Sequence, residues 1–323
     1  MRHCSRQRYG VALSLFVLAS LMPAGPVRAK ETVALTFGWP TGLHCTVTFS
    51  ARTTRTVNGQ SDDLNMAGRS DFVTSAAPDG LLIQFDNVET EVENAGSGPQ
   101  AMVKAYMAKA TSMPPSYLVG PDGQFLRIEG LEAFRTGIFE GMADAFADLP
   151  APTREQIIRT MEAIFTREQL EASLASDWDS HVGTWIGAEM DEGDLYELTF
   201  NQAIPAFGNM EVPMRSTFLL KGRVPCNGAE AAKHCVELEA RTFVDPDGLA
   251  AAVDAFMARL PAGQEVPRIQ DLQQETVVRL ISEPNTLLPH LMETSTRTAT
   301  VMAVGDETQA SSRTEEKRFV YTY

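Results

Sequence analysis

Alternation of apolar and polar positions dominates the chain. LHCTVTFSARTTRTV (43–57), NMAGRSDFVTS (65–75) and GLLIQFDNVETEV (80–92) repeat with a period near two and are rich in β-branched residues, which predicts three strands. Their connections, VNGQSDD and AAPDG, hold turn residues. QAMVKAYMAKA (100–110) changes to helical spacing, with Met102, Val103, Tyr106 and Met107 on one face. SYLVGPDGQFLRI (116–128) returns to strand character and predicts a hairpin about Pro121-Asp122-Gly123.

Two amphipathic helices follow. Leu131, Phe134, Ile138, Phe139, Met142 and Phe146 fall at helical spacing and define the first. Thr153 with Gln156 reads as a capping box opening the second, which turns Ile157, Met161, Ile164 and Phe165 inward. A second pair, Thr166 and Gln169, predicts a new helix to about Leu174.

The second half repeats this order. DLYELTFNQ (194–202), VPMRSTFLLKG (212–222) and CVELEARTFV (235–244) predict another strand trio. Asp245-Pro246-Asp247-Gly248 opens a helix over 249–260, and ETVVRLIS (275–282), the turn EPNT and strands near 294–304 and 309–323 complete the chain. The expected fold is α+β and antiparallel β-rich: two similar half-barrel-like lobes with helices between and across them. The N-terminal lobe spans 30–130, a helical insert 131–178 and the C-terminal lobe 179–323. A single larger sheet wrapped by helices is the alternative. The repeat is one of element order, not of residues.

Composition then assigns a compartment. The chain opens with Arg2, Arg6 and Arg8, continues through the apolar run Val11–Met22, and reaches Val27-Arg28-Ala29 after Pro23 and Pro26. This three-part layout predicts a signal peptide over 1–29, cleaved near Ala29, and places the mature protein in the periplasm or outside the cell. The run is shorter than the roughly twenty residues that a transmembrane helix needs, and no later segment supplies one. The formal charge of the whole chain is −15, and the leader removes basic residues only. Such a surface repels phosphate backbones, so no nucleic-acid partner is expected.

Cysteine usage follows from export. Cys226 and Cys235 bracket a short polar loop between two predicted strands, which in an oxidising compartment points to a disulfide across a hairpin; a pairing that involves Cys45 is the alternative. The dipeptides His44-Cys45 and His234-Cys235 suggest zinc, but successive strand side chains point to opposite faces, so each dipeptide offers one ligand inward. No metal site or cofactor is expected.

The order of long antiparallel strands, one short helix and then LISEPNTLLPHLMETSTRTATV (280–301) resembles periplasmic lipoprotein-carrier proteins and allied secreted domains of unknown function. The resemblance covers 194–323 and, more faintly, 43–128. It implies an incomplete β-barrel that holds an apolar ligand beneath a helical lid. The two halves and the helical insert depart from that pattern, and no functional residue is carried over.

Candidate chemistry is sparse. Asp179, Ser180 and His181 are consecutive, whereas a nucleophilic relay needs groups converging from different segments. Glu189, Asp191, Glu192 and Asp194 lack the alternating ligand spacing of a calcium loop. KRFVYTY at the C-terminus alternates Phe319, Tyr321 and Tyr323 as the closing strand of an outer-membrane barrel would, but the helices argue against that architecture. These patterns favour a soluble, non-catalytic binding module for an apolar or lipid-like group. The expected lining is Phe218, Leu220, Val236, Leu238, Val278 and Leu280 on one sheet face, with Phe256, Met257 and Leu260 as the lid. A helix packed down without a cavity is equally compatible with the pattern. A structural or protein-interaction component of the envelope is the alternative function, and a hydrolase the third.

Overall fold

A computed structural model of the chain describes residues 31–93, 114–147, 149–204, 210–226, 234–257, 268–304 and 307–323. The elements run β1 (Thr32–Ala34), β2 (His44–Val57), β3 (Gln60–Ala77), β4 (Gly80–Glu93), β5 (Ser116–Val119), β6 (Phe125–Glu129), then helices α1 (Leu131–Ala145), α2 (Ala151–Ile164) and α3 (Arg167–His181). After a short 3-10 turn come β7 (Glu189–Asp191), β8 (Leu195–Ile204), β9 (Met210–Pro225), β10 (His234–Val244), α4 (Pro246–Met257), β11 (Arg268–Ser282), β12 (Pro289–Val304) and β13 (Glu307–Thr322). The fold is α+β and β-rich, built on one large antiparallel sheet.

That sheet has eleven strands in the order β6-β5-β4-β3-β2-β13-β12-β11-β10-β9-β8, and β1 pairs separately with β7. Its two halves join where the last strand meets β2, in the register Phe319–Phe49 and Tyr321–Val47. The ladder is unbroken across this seam, and residues 31–323 form one compact unit. Among the described residues β6 and β8 are edges, so the sheet is open.

Local chemistry explains the register. Asn58 and Gly59 both take positive φ, the two-residue turn whose twist matches a hairpin, and so pair Val57 with Gln60. Between β11 and β12 the turn at Glu283–Leu288 holds Leu287 at φ 55 while burying it completely. This conformation is costly for leucine. Surrounding contacts hold it: Leu287 N donates to Glu283 O, and Thr36 N and Gly38 N donate to Pro284 O and Thr286 O. The segment after β1 is thereby tied to the sheet end, and it carries Leu35 and Trp39 into the core.

Helix boundaries depart from the sequence pattern in two places. Helix α2 starts at Ala151, with Pro150 as N-cap and Pro152 in the first turn, so Thr153 lies inside the helix and the expected capping box with Gln156 does not form. Proline favours a first turn because its missing N–H has no intrahelical partner there. Helix α3 starts as expected, with the Thr166 hydroxyl accepting from Gln169 N at 3.2 Å. It runs on to His181 instead of stopping near Leu174, because Trp178 anchors the last turn by burying its ring and donating Nε1–H to Gly123 O at 3.0 Å. The strands also exceed their apolar patterns: β11 begins at Arg268, where paired backbone extends past the hydrophobic core. The helix expected over 100–110 lies outside the described residues, as do residues 1–30 and 258–260.

Candidate functional site

Cross-strand register sorts the sheet into two unlike faces. The outer face carries the charge ladder Glu239–Arg279–Glu293–Arg318 across β10, β11, β12 and β13. Arg279 holds Glu237 at 2.9 Å and Glu293 at 2.8 Å, and Arg318 reaches Glu293 at 3.1 Å. Opposite charges facing each other across strands favour this pairing. The inner face is apolar at one end. There Cys45, Val47, Phe72, Ile83, Leu220, Leu238 and Leu280 are buried against Trp39, Trp178 and Trp185.

Six of the residues expected to line a ligand lie together on this inner face. Leu238 pairs with both Leu220 and Leu280, and Ala240 pairs with Phe218 and Val278. Leu220, Val236, Leu238, Val278 and Leu280 are buried in the main core, and Phe218 packs edge-on to Trp185 at 5.8 Å. In the described structure their cover is the segment containing Trp185. Helix α4 packs beside them: Leu249 and Val253 meet Val212, Met214 and Val244, and Gly248 allows close approach to Pro213. The Phe256 and Met257 side chains and the whole of Leu260 lie outside the described residues.

Open space occurs farther along the same face, on the other half of the sheet. Phe49, Phe85, Tyr117, Phe319 and Tyr321 are only partly buried, although they point inward. Phe72 links them to the tryptophans, lying 5.4 Å from Trp39, 5.5 Å from Phe85 and 6.1 Å from Tyr321. Beyond these rings is a cavity of about 560 Å³. Its walls are Ala51, Thr53 and Arg55 of β2, Leu64 and Met66 of β3, Val92 of β4, and Arg313, Glu315 and Lys317 of β13. All lie on one face of four adjacent strands. Two larger hollows, of about 660 and 1150 Å³, are less suited to an apolar group. The first is lined by the charged ladder; the second lies between α4 and the strand ends, where Phe243, Leu249, Val253, Ile269 and Leu272 are mixed with a larger set of charged and amide side chains.

The cavity has a polar side. Glu315 accepts from Arg313 and Lys317, each at 2.7 Å, and these cations hold its carboxyl below the usual range against the opposing effect of burial. The charge of Lys317 also acts on two groups of α3. Burial, then Lys317, pushes His181 down to about 4, and burial raises the Asp177 carboxyl against the pull of Lys317. Asp177 nevertheless remains open to water. On the C-terminal half the inner face becomes hydroxylic past Val278, where Thr276 and Thr296 hydrogen-bond at 3.2 Å.

The remaining sequence candidates do not assemble into a reactive group. Ser180 donates its hydroxyl to Asp177 O at 3.0 Å within α3, and Asp179 lies against Gly183. Burial, with Asp71 nearby, raises the Cys45 thiol to about 12, which suppresses the nucleophilic thiolate. Asp191 accepts from Thr32 Oγ1 in the β1–β7 pairing. Cys226 and Cys235 form the expected disulfide with Cα atoms 5.1 Å apart, and Cys45 is a buried free thiol. His44 and His234 are exposed while Cys45 and Cys235 are buried, as strand alternation requires. Phe319 and Tyr321 of the C-terminal pattern face Phe49 and Phe72 in the concavity. Their alternation was visible in the sequence, as was that of Cys45, Val47 and Phe49; the pairing that stacks them was not.

No protein-family model matches this chain, and no curated protein is significantly similar to it. Among the described residues no helix is long and apolar enough to cross a membrane.

Proposed function

We propose that this chain is an exported, non-catalytic binding protein for an apolar or lipid-like group, released after signal cleavage near Ala29 into the periplasm or the medium. The observation that carries the reading is the partly exposed aromatic wall, which continues into a cavity floored by Ala51, Leu64, Met66 and Val92. Partly exposed aromatics on an inward face are costly unless something covers them. A lining that is apolar on β3 and β4 and charged along β13 suits an amphiphile. The open antiparallel sheet and its helices support the likeness to lipoprotein-carrier half-barrels. In this reading 30–130 and 179–323 are two half-barrel-like lobes meeting at the β2–β13 seam, and the 131–178 helices lie across them. The disulfide supports export. Titration of the purified mature protein with an environment-sensitive fluorophore or a radiolabelled acyl chain tests this. Saturable binding at micromolar protein, displaced by unlabelled fatty acid, is expected; its absence removes the carrier reading.

A second reading, a protein-interaction component of the envelope, is favoured by β8. This edge strand exposes Leu195, Tyr196, Leu198 and Phe200, four of the five large apolar side chains exposed among the described residues. An apolar edge strand is a template for strand addition.

A further inference from the structure

We propose that the Cys226–Cys235 pair is also the core of a redox-gated zinc site, completed by His290. The sulfur atoms of both cysteines and an imidazole nitrogen of His290 lie within 4.8 Å of one another, and all three residues are buried. His290 reaches this position through a β-bulge. Leu291 pairs with Ile281 and Pro289 with Ser282, which leaves His290 as the extra residue of β12. Bulges re-aim side chains in this way. The imidazole is fixed from other sides as well. Its Nε2 stands 3.5 Å from Glu283 Oε1, and its ring centroid is 5.1 Å from that of Tyr323. Tyr323 donates to Pro289 O at 2.8 Å, and Glu283 accepts from Thr286 Oγ1 at 3.0 Å. At 3.5 Å the Glu283 carboxylate is at ion-pair distance and not hydrogen-bonded to Nε2; a small approach would give the carboxylate–imidazole contact that orients histidine at metal centres.

Two thiolates and an imidazole are the donor types zinc prefers, with a fourth position for water or a carboxylate. Ile281, Leu291, Val224 and Val320 surround the sulfurs and keep the site apolar. In the structure the sulfurs are bonded to each other, so metal binding requires reduction. An external dithiol supplies two electrons and two protons and becomes a disulfide, while the Cys226–Cys235 bond breaks to give two thiols. Zinc then displaces both thiol protons. The oxidised protein has no thiolate to offer there, so the site opens only under reducing conditions.

The test is anaerobic titration of the purified protein with cobalt(II), as a spectroscopic stand-in for zinc, before and after reduction by a non-coordinating phosphine. One equivalent should bind to the reduced protein with thiolate-to-metal charge-transfer and tetrahedral d–d bands, be displaced by zinc, and fail to bind the oxidised protein. Cys226→Ser should abolish the bands, His290→Asn should weaken binding at least about ten-fold, and Cys45→Ala should leave it unchanged. If reduction or His290→Asn loosens the sheet end, the thermal midpoint replaces the titration: zinc should raise it in the reduced wild-type protein and not in reduced His290→Asn. Failure of the reduced wild-type protein to bind cobalt or respond to zinc, or equal binding by His290→Asn, overturns the proposal.

Discussion

The ring of Phe49 lies over Gly68, its cross-strand partner on β3. A Cβ built on Gly68 would stand 2.6 Å from Phe49 Cζ and 2.2 Å from Glu89 O. The glycine is needed for space, since its φ lies outside the left-handed region. Gly68→Ala should therefore force the ring and the β4 backbone apart and cost about 1–3 kcal/mol. Urea denaturation of the two proteins reads this directly, and an unchanged midpoint would count against the ring position.

The two ends of the inner face should respond differently to substitution. Leu220→Ala, in the filled end, should lower stability by about 2–5 kcal/mol through cavity formation. Met66→Lys, in the open end, should leave the midpoint nearly unchanged and abolish binding of an apolar fluorophore. Loss of binding in Leu220→Ala alone would place the ligand at the filled end instead.

The depressed pKa of His181 makes a signed contribution to acid stability. The unfolded histidine titrates near 6.5, and in the folded protein burial, then Lys317, push it down to about 4. Between these values the unfolded state binds the extra proton, so stability falls as pH drops from about 6.5 toward 4. The raised Asp177 carboxyl acts with the opposite sign, favouring the folded state as acid is added. His181→Gln should flatten the decline over that window. Chemical-denaturation midpoints at several pH values compare the slopes, and identical slopes would falsify this assignment.

Removing the disulfide should be costly but local. Cys226→Ser with Cys235→Ser releases a loop of about ten residues, worth about 2.7 kcal/mol in the chain-entropy model. Alkylation of the unreduced protein lacking residues 1–29, and so lacking Cys4, followed by mass spectrometry should label Cys45 alone, and only after denaturation, since its thiol is buried and its pKa raised. Label on Cys226 would contradict the pairing.

At the β8 edge, Leu198→Lys should leave folding stability within about 0.5 kcal/mol, as surface substitutions usually do. If β8 serves association, light scattering of concentrated wild-type protein should show a species larger than the monomer that the variant lacks. A concentration-independent monomer in both would retire the self-association form of the interaction reading.

Strands, hairpin turns and the disulfide were legible in the sequence because each depends on residues near one another along the chain. Alternation in LHCTVTF fixes which side of β2 is apolar, Asn58-Gly59 fixes its hairpin, and a short loop bracketed by Cys226 and Cys235 needs little else to close. Helix α3 was half legible. Thr166 and Gln169 set its start, but its end is held by a hydrogen bond to Gly123, some 55 residues away. The candidate site was the least legible part. Apolar residues on β9, β10 and β11 look identical in sequence whether they line a cavity or fill a core. In the described structure they cluster with Trp185, a neighbour that no local pattern in those strands announces. The open wall needed Phe49 from β2 beside Phe319 and Tyr321 from the last strand. Their juxtaposition, like that of His290 with the two cysteines, comes from long-range pairing and a bulge, contacts that no local pattern encodes.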